Sequence, residues 1–174
     1  MAQRPILVVP DMILKRKASE IVTIDDQIVA LANDMIETMY KAPGIGLAAN
    51  QVGEALRLIV IDIEYAYADP KTRKKNPIVL LNPEIHLTEG EGMFEEGCLS
   101  VPEFTVEVVR PEQIQIEGVD LDGNPIKIET DGILARVLQH EIDHLNGVTL
   151  LEHASALKRN LYKKRIKKKA RRDQ

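Results

Sequence analysis

The sequence predicts an α+β fold built on antiparallel strands, with one helix before the strands and helices after them. Three observations predict it. Strand-like segments follow one another between residues 56 and 129 without helical stretches between them, which argues against a doubly wound α/β sheet. Apolar residues recur at helical spacing only outside that run, at Ile28–Met39 and Ile133–Leu145. Two segments alternate apolar and polar residues, with Ile114 and Ile116 in one and Ile126 and Ile128 in the other, and Asp122-Gly123 lies between them as a hairpin turn.

From the start of the chain, Ile6–Val9 followed by Pro10-Asp11 reads as a short strand or an extended arm. Thr23–Asp26 resembles a capping box and opens a helix whose core face is Ile28, Leu31, Ala32, Met35, Ile36 and Met39, until Pro43-Gly44 stops it. The stretch Gly44–Gln51 is rich in glycine and alanine. Either its glycines let the backbone approach another group closely, or they only satisfy positive φ in a tight turn; Gln51 adds an amide that both donates and accepts. Leu56–Ile63 is a nearly continuous apolar run and reads as a buried strand, and Asp69–Asn76 as a solvated loop. Ile78–Leu81 and Glu84–Leu87 read as two strands separated by Asn82-Pro83. Met93–Cys98 leads to Leu99–Pro102, where Pro102 limits any strand, and Thr105–Val109, Gln113–Glu117 and Pro125–Glu129 complete the run as antiparallel strands. Leu150–Arg172 is expected to continue as a helix with a thin stripe of Ala154, Leu157, Leu161 and Ile166.

The chemistry centres on Thr130–Gly147. Thr130 and Asp131 are N-cap types, Asn146-Gly147 is a helix stop, and His140, Glu141 and His144 stand in the order H-E-x-x-H. On a helical projection Ile133, Leu134, Val137, Leu138, Ile142 and Leu145 form an apolar arc with Glu141 in its middle, and the two histidines sit one turn apart at its edge. A carboxylate buried there needs a partner. Imidazoles at i and i+4 can grip one divalent ion while the glutamate between them reaches water as a general base. The alternative is an ordinary helix whose glutamate snorkels out. A catalytic ion needs a third ligand, and the downstream sequence offers little: Leu150 stands where a third histidine would fall in one metalloprotease pattern, and the only acid beyond Glu152 is Asp173. His153 follows the helix stop, so its direction is open. Cys98, the only cysteine, is the strongest candidate. Asp143 has two readings, orienting a histidine or facing solvent, and its place on the polar arc favours solvent. Glu95, Glu96 and Arg110 are candidates for an ion pair beneath the site.

The length of 174 residues suits one domain, expected as a catalytic core over about 1–150 and a basic tail over about 151–174. A single cysteine excludes an internal disulfide. The reduced thiol, the absence of a signal-like apolar run at the start and the lack of any span-length segment predict a cytoplasmic protein with no membrane partner. The net charge of −4 hides an asymmetry: residues 157–174 hold ten Lys or Arg against one acid, whereas the preceding residues hold 13 basic and 26 acidic side chains. A tail of +9 on a body of −13 points to a polyanionic partner for the tail. With 3% aromatic residues and no Trp, stacking on single-stranded bases is not expected.

Three motifs stand in one order, GIGLAANQ at 44–51, EGCLS at 96–100 and QHEIDHLNG at 139–147, and together they resemble the peptide deformylase family over nearly the whole chain before the tail. The resemblance implies antiparallel sheets around a central helix that bears the metal motif. It implies Cys98, His140 and His144 as metal ligands, Glu141 as general base and then acid, and Gln51 with the backbone N–H of Leu99 facing the developing oxyanion. It implies removal of the N-formyl group from the initiator methionine of nascent peptides, with release of formate. A divalent ion on one thiolate and two neutral imidazoles carries net +1, enough to acidify water. Gly44, Gly46 and Gly97 suit a site that crowds the carbonyl and so admits formyl but not larger acyl groups. Ile45 and Val137 are expected to border a methionine-sized pocket. Thiolate ligation and the family's association with iron favour Fe2+, with Zn2+, Ni2+ or Co2+ as substitutes. A monomer is expected, meeting the ribosome through the basic tail. Two other readings use the same helix: an endopeptidase-type zinc hydrolase, against which the missing downstream ligand counts, and a non-enzymatic RNA-binding protein with a closed four-ligand structural metal.

Overall fold

The computed structural model describes residues 2–69 and 71–170, so Arg171 and Arg172 of the basic tail lie outside the described residues. Helix α1 spans Asp26–Lys41, and strands β1 (Gly46–Ala48) and β2 (Leu58–Ile61) follow, with a 3-10 turn at Ala49–Val52 between them. A short helix α2 (Ile63–Tyr67) leads to β3 (Ile78–Glu89), β4 (Gly92–Gly97), β5 (Thr105–Arg110), β6 (Gln113–Val119) and β7 (Pro125–Thr130). Helix α3 (Gly132–Leu145), a 3-10 turn at Leu150–His153 and helix α4 (Ala156–Ala170) close the chain. The strands form an antiparallel five-stranded sheet in the order β1-β2-β3-β6-β7 and a separate β4-β5 hairpin. The α+β expectation and its antiparallel strands hold.

Burial follows from what covers each face. All four residues of β2 are buried because α1 lies on one side of it and α3 on the other. Leu58 and Val60 meet Leu31, Met35 and Met39 of α1, while Ile59 and Ile61 meet Val137, Leu138 and Ile142 of α3. This two-sided cover is why the segment reads as unbroken apolar sequence. Three large side chains of α1 bury nearly completely at about 1.5–3 kcal/mol each, against about 1 kcal/mol for its cap, so packing holds this helix in place. A third cluster lies under the β4-β5 hairpin, where Val101, Phe104, Val106 and Val108 meet Leu14, Leu151 and Tyr162.

Several local expectations change. The cap of α1 is Asp25, which accepts from the N–H groups of Gln27 and Ile28; Thr23 stands outside the helix. The two strands expected around Asn82-Pro83 are one strand, β3, with an irregular register between Leu81 and Glu84 and Asn82 at φ 50. The helix α2 was not expected. The segment after Leu150 is broken into a 3-10 turn and α4, and its expected stripe divides: Ala154 is buried and Ile166 packs inward, but Leu157 and Leu161 are 71% and 58% exposed. Tyr162 takes their place, because the cover available to α4 is the hairpin turn and not the main sheet. The arm at 6–9 pairs in no sheet; it is tied down by Leu7 N–H to Gln51 O (2.8 Å) and Val9 N–H to Ser100 O (2.9 Å), which joins two of the three motifs.

Candidate active site

Helix α3 runs with its apolar arc against the sheet, so the middle of that arc is sealed. Glu141 is 4% exposed and His144 1%. The histidine rings stack edge-on, with centroids 5.0 Å apart. Cys98 begins the turn that joins β4 to β5, and its Sγ lies 3.2 Å from His144 Nε2. One ligand atom from each of Cys98, His140 and His144 lies within 4.8 Å of the others. His153 is not part of this group; its Nε2 contacts Asp143 Oδ2 at 2.9 Å. That resolves its direction and removes the nearest candidate for a fourth protein ligand.

Gln51 stands on the 3-10 turn after β1. Its Oε1 accepts from Ala48 N–H (2.9 Å), which turns Nε2 toward Ser100 Oγ (3.1 Å) and the sulfur of Cys98 (3.7 Å). Leu99 N–H donates to no backbone acceptor among the described residues. Gly46 has no side chain because there is no room for one: an added Cβ would lie 2.5 Å from Glu141 Oε1 and 2.9 Å from Val137 Cγ1. Its φ is not positive, so close approach is what the glycine serves, and a Cβ on Gly44 would likewise meet Leu99 at 2.9 Å. Gly97 differs, since its nearest neighbour would be 3.8 Å away and its bare backbone simply leaves space.

A cavity of about 910 Å³ opens onto this assembly. Gly44, Ile45, Gly46, Gln51, Gly97, Cys98, Leu99, Val137, His140 and Glu141 all line it, and His144 lies buried behind the sulfur. Ile133, Phe104 and Arg136 line it too, none of them singled out by the motifs; the Arg136 guanidinium lies 3.3 Å over the ring of Phe94. Ser100 was also missed. It is fully buried and receives the Gln51 amide, and its position inside EGCLS was the available signal.

A chain of charges supports the histidines. His140 Nδ1 contacts Glu96 Oε2 (3.0 Å), and Glu96 takes both Nε (2.6 Å) and Nη2 (3.0 Å) of Arg110. Arg110 Nη1 then reaches Asp143 Oδ2 (2.9 Å). Asp143 is therefore half-buried and tied to Arg110 and His153, and it orients neither His140 nor His144 directly; Arg110 arrives from β5 and covers much of the polar arc. Glu95 stays out of this group and accepts from Thr105 Oγ1. Burial pulls the Glu96 carboxyl up, but hydrogen bonds from His140 and Arg110 outweigh it and hold the pKa at about 2. Burial lifts Asp143 as well, yet the His153 contact and the Arg110 charge keep it below its ordinary value.

The donor set fits a divalent cation. One sulfur and two imidazoles converge, and beside them Glu141 Oε2, a buried acceptor, and His144 Nδ1 have no hydrogen bond among the described residues. Burial pushes Glu141 up to about 7, and burial together with the charge of His140 pushes His144 down to about 3, so His144 stays neutral as a ligand must. Burial alone would lower His140, but contacts with Cys98 and Glu96 and the charge of Glu141 raise it well above 6.5. The acceptors that hold a proton on His140 are the ones a divalent cation would neutralise.

The polypeptide deformylase family model matches residues 3–160. A peptide deformylase of Thermodesulfovibrio yellowstonii is 50% identical over 160 residues, covering 92% of this chain and 94% of that one. Among solved structures, a peptide deformylase from Legionella pneumophila is 45% identical with a TM-score of 0.88, covering 99% of this chain and 98% of that one. A peptide deformylase from Ehrlichia chaffeensis in complex with actinonin is 38% identical with a TM-score of 0.89, covering 97% and 98%.

Arg110 neutralises two otherwise facing carboxylates in a buried place, so Arg110→Leu is expected to cost about 3–5 kcal/mol of unfolding free energy at pH 7 in a urea titration. Glu96 has a folded pKa near 2 and an unfolded one near 4.5, so its contribution is complete above 4.5 and is lost as the pH falls through 2. The gap between wild type and variant should narrow over that window. A gap under about 1 kcal/mol at pH 7 would contradict this account of the network.

Proposed function

Because this chain belongs to the peptide deformylase family, we infer that its site performs the family's reaction, hydrolysis of the N-formyl group from the initiator methionine of nascent polypeptides with release of formate. It is a metal-dependent hydrolase. The observation that carries the assignment of roles is the buried carboxylate of Glu141, unpartnered at Oε2 and set beside the sulfur and imidazole cluster.

Cys98, His140 and His144 would hold one divalent cation, Fe2+ by the family's association with iron, and a donor set of one thiolate and two imidazoles also admits Zn2+, Ni2+ or Co2+. Bound there, the ion supplies Lewis acidity to the formyl carbonyl and to the attacking water. Glu141 takes the proton from that water as its oxygen adds to the formyl carbon. With a pKa raised by burial to about 7, the same carboxyl can return the proton to the amine nitrogen as the C–N bond breaks, leaving formate and a free amino terminus. The negative oxygen that forms in between receives hydrogen bonds from Gln51 Nε2 and the N–H of Leu99. A preorganised donor of this kind is typically worth about 2.7–4 kcal/mol. The Ala48 N–H bond to Gln51 Oε1 fixes which end of the amide does this.

Selectivity follows from crowding. Gly44 and Gly46 bring the backbone of their segment against Leu99 and Glu141, and a carbonyl carbon bearing only hydrogen fits there more easily than one bearing a methyl. Gly97 leaves its part of the wall open to the peptide, and Ile45 and Val137, with Ile133, offer apolar surface for the methionine side chain. The cytoplasm suits this activity, and among the described residues no helix is long and apolar enough to cross a membrane. We take the chain as one domain acting as a monomer, with its core over about 1–150 and a tail over about 151–174.

Helix α4 would bring the enzyme to ribosomal RNA. It carries eight Lys or Arg and no acid within Ala156–Ala170. Replacing the exposed Lys164 and Lys168 by Ala should lower the slope of log ribosome affinity against log salt by about 2; an unchanged slope would contradict the contact.

The direct test of the active-site assignment is Glu141→Gln. On a formyl-Met tripeptide its kcat/KM should fall about 10²–10⁴-fold by formate assay, with metal content matching the wild type by elemental analysis. Full activity in that variant would overturn the role of Glu141.

A further inference from the structure

The β4-β5 turn carries Cys98 and Leu99 at its start and Pro102, Glu103 and Phe104 at its end, and both ends line the cavity. We propose that Tyr162 and Arg165 of helix α4 are positioning residues for the second half of this turn, so that the basic helix fixes a wall of the peptide-binding cavity. The proposal rests on the deformylase reading of that cavity.

The two ends of the turn are held by different parts of the chain. The Cys98 end is held locally by Val101 N–H to Cys98 O (3.0 Å), by the amino-terminal arm through Val9 N–H to Ser100 O (2.9 Å), and by Gln51 on Ser100 Oγ (3.1 Å). The other end belongs to α4. Tyr162 donates its hydroxyl to Pro102 O (3.0 Å), and its ring meets that of Phe104 edge-on at 5.0 Å, with both rings buried. Arg165 Nη2 donates to Glu103 O (2.7 Å) and lies 3.6 Å from the Glu103 carboxylate, to which Lys169 adds a second contact at 3.7 Å. Glu103 sits at φ 56, a left-handed conformation that a glutamate adopts only where its surroundings hold it. The donor on its carbonyl is Arg165. Without these contacts the turn would retain its Cys98 end and lose definition at Pro102–Phe104.

That division predicts a split between kinetic parameters. Loosening the wall weakens capture of the peptide, while the ligand sulfur and the Leu99 N–H stay where the arm and Gln51 hold them. The test uses the full chain, metal-loaded, with Tyr162→Phe and Arg165→Gln combined. The hydroxyl and the guanidinium are removed but the Tyr162–Phe104 ring contact is kept, so the fold survives. For a formyl-Met tripeptide, KM should rise about fivefold or more while kcat changes less than about twofold. In hydrogen exchange, amides of residues 103–105 should exchange about tenfold faster, with those of α3 unchanged as a control on global stability. Arg165→Lys in the Tyr162→Phe background keeps a donor for Glu103 O and should restore part of the KM. If the double variant keeps wild-type KM, or if exchange of the turn is unchanged, the positioning role is wrong. A wild-type protein that releases no formate would instead defeat the functional reading beneath it.

Discussion

The rest of the site depends on keeping one carboxylate, Glu141, out of water without a hydrogen-bond partner at Oε2. Left alone, such a group costs several kcal/mol or takes up a proton. Here burial moves its pKa to about 7, which suits the proposed role of base and then acid. The neighbourhood is shaped to that end. Gly46 gives up its side chain so that β1 can pass against Glu141, and the cluster of Cys98, His140 and His144 offers the cation that would compensate its charge. A helix that buries a glutamate in its apolar face is a local violation of amphipathic order, and in a folded protein such violations collect where chemistry is done.

Around that carboxylate the fold works as a set of clamps from distant parts of the sequence. The helix α3 contributes two donors on one turn, but the sulfur comes from a hairpin turn that stands outside the main sheet. That turn is positioned by the amino-terminal arm, by Gln51 from the end of β1 and by α4. The histidine side is fixed by Glu96 from β4 and Arg110 from β5, so the same hairpin that supplies the sulfur also orients His140. The sulfur, the Gln51 amide and the supporting charges therefore share a small number of backbone segments.

Much of this was legible in the sequence, and the exceptions have a common cause. The apolar arc of α3, the place of Glu141 within it and the candidacy of Cys98 follow from periodicity and elimination, because a helix face and a lone thiol are local facts. The strands from Thr105 to Thr130 were readable for the same reason, each alternating cleanly with one covered face. Asp143 was misread by the same periodicity. Its arc is polar, yet Arg110 covers much of it from β5, so the carboxylate pairs with a protein charge. Periodicity tells which face is apolar and is silent on what long-range partner covers the polar one. The same limit hid Ser100, Arg136 and the packing of Tyr162, whose partners lie dozens of residues away.

The central claim is that Cys98, His140 and His144 hold one divalent ion beside Glu141. The measurement that bears on it most directly is reconstitution of the metal-free protein with Co2+ under anaerobic conditions, followed by absorption spectroscopy and metal analysis. The account predicts one ion per chain and a thiolate-to-cobalt charge-transfer band that is lost in Cys98→Ser and kept in Glu141→Gln. A band that survives in Cys98→Ser, or no tight binding of Co2+ by the wild type, would contradict it.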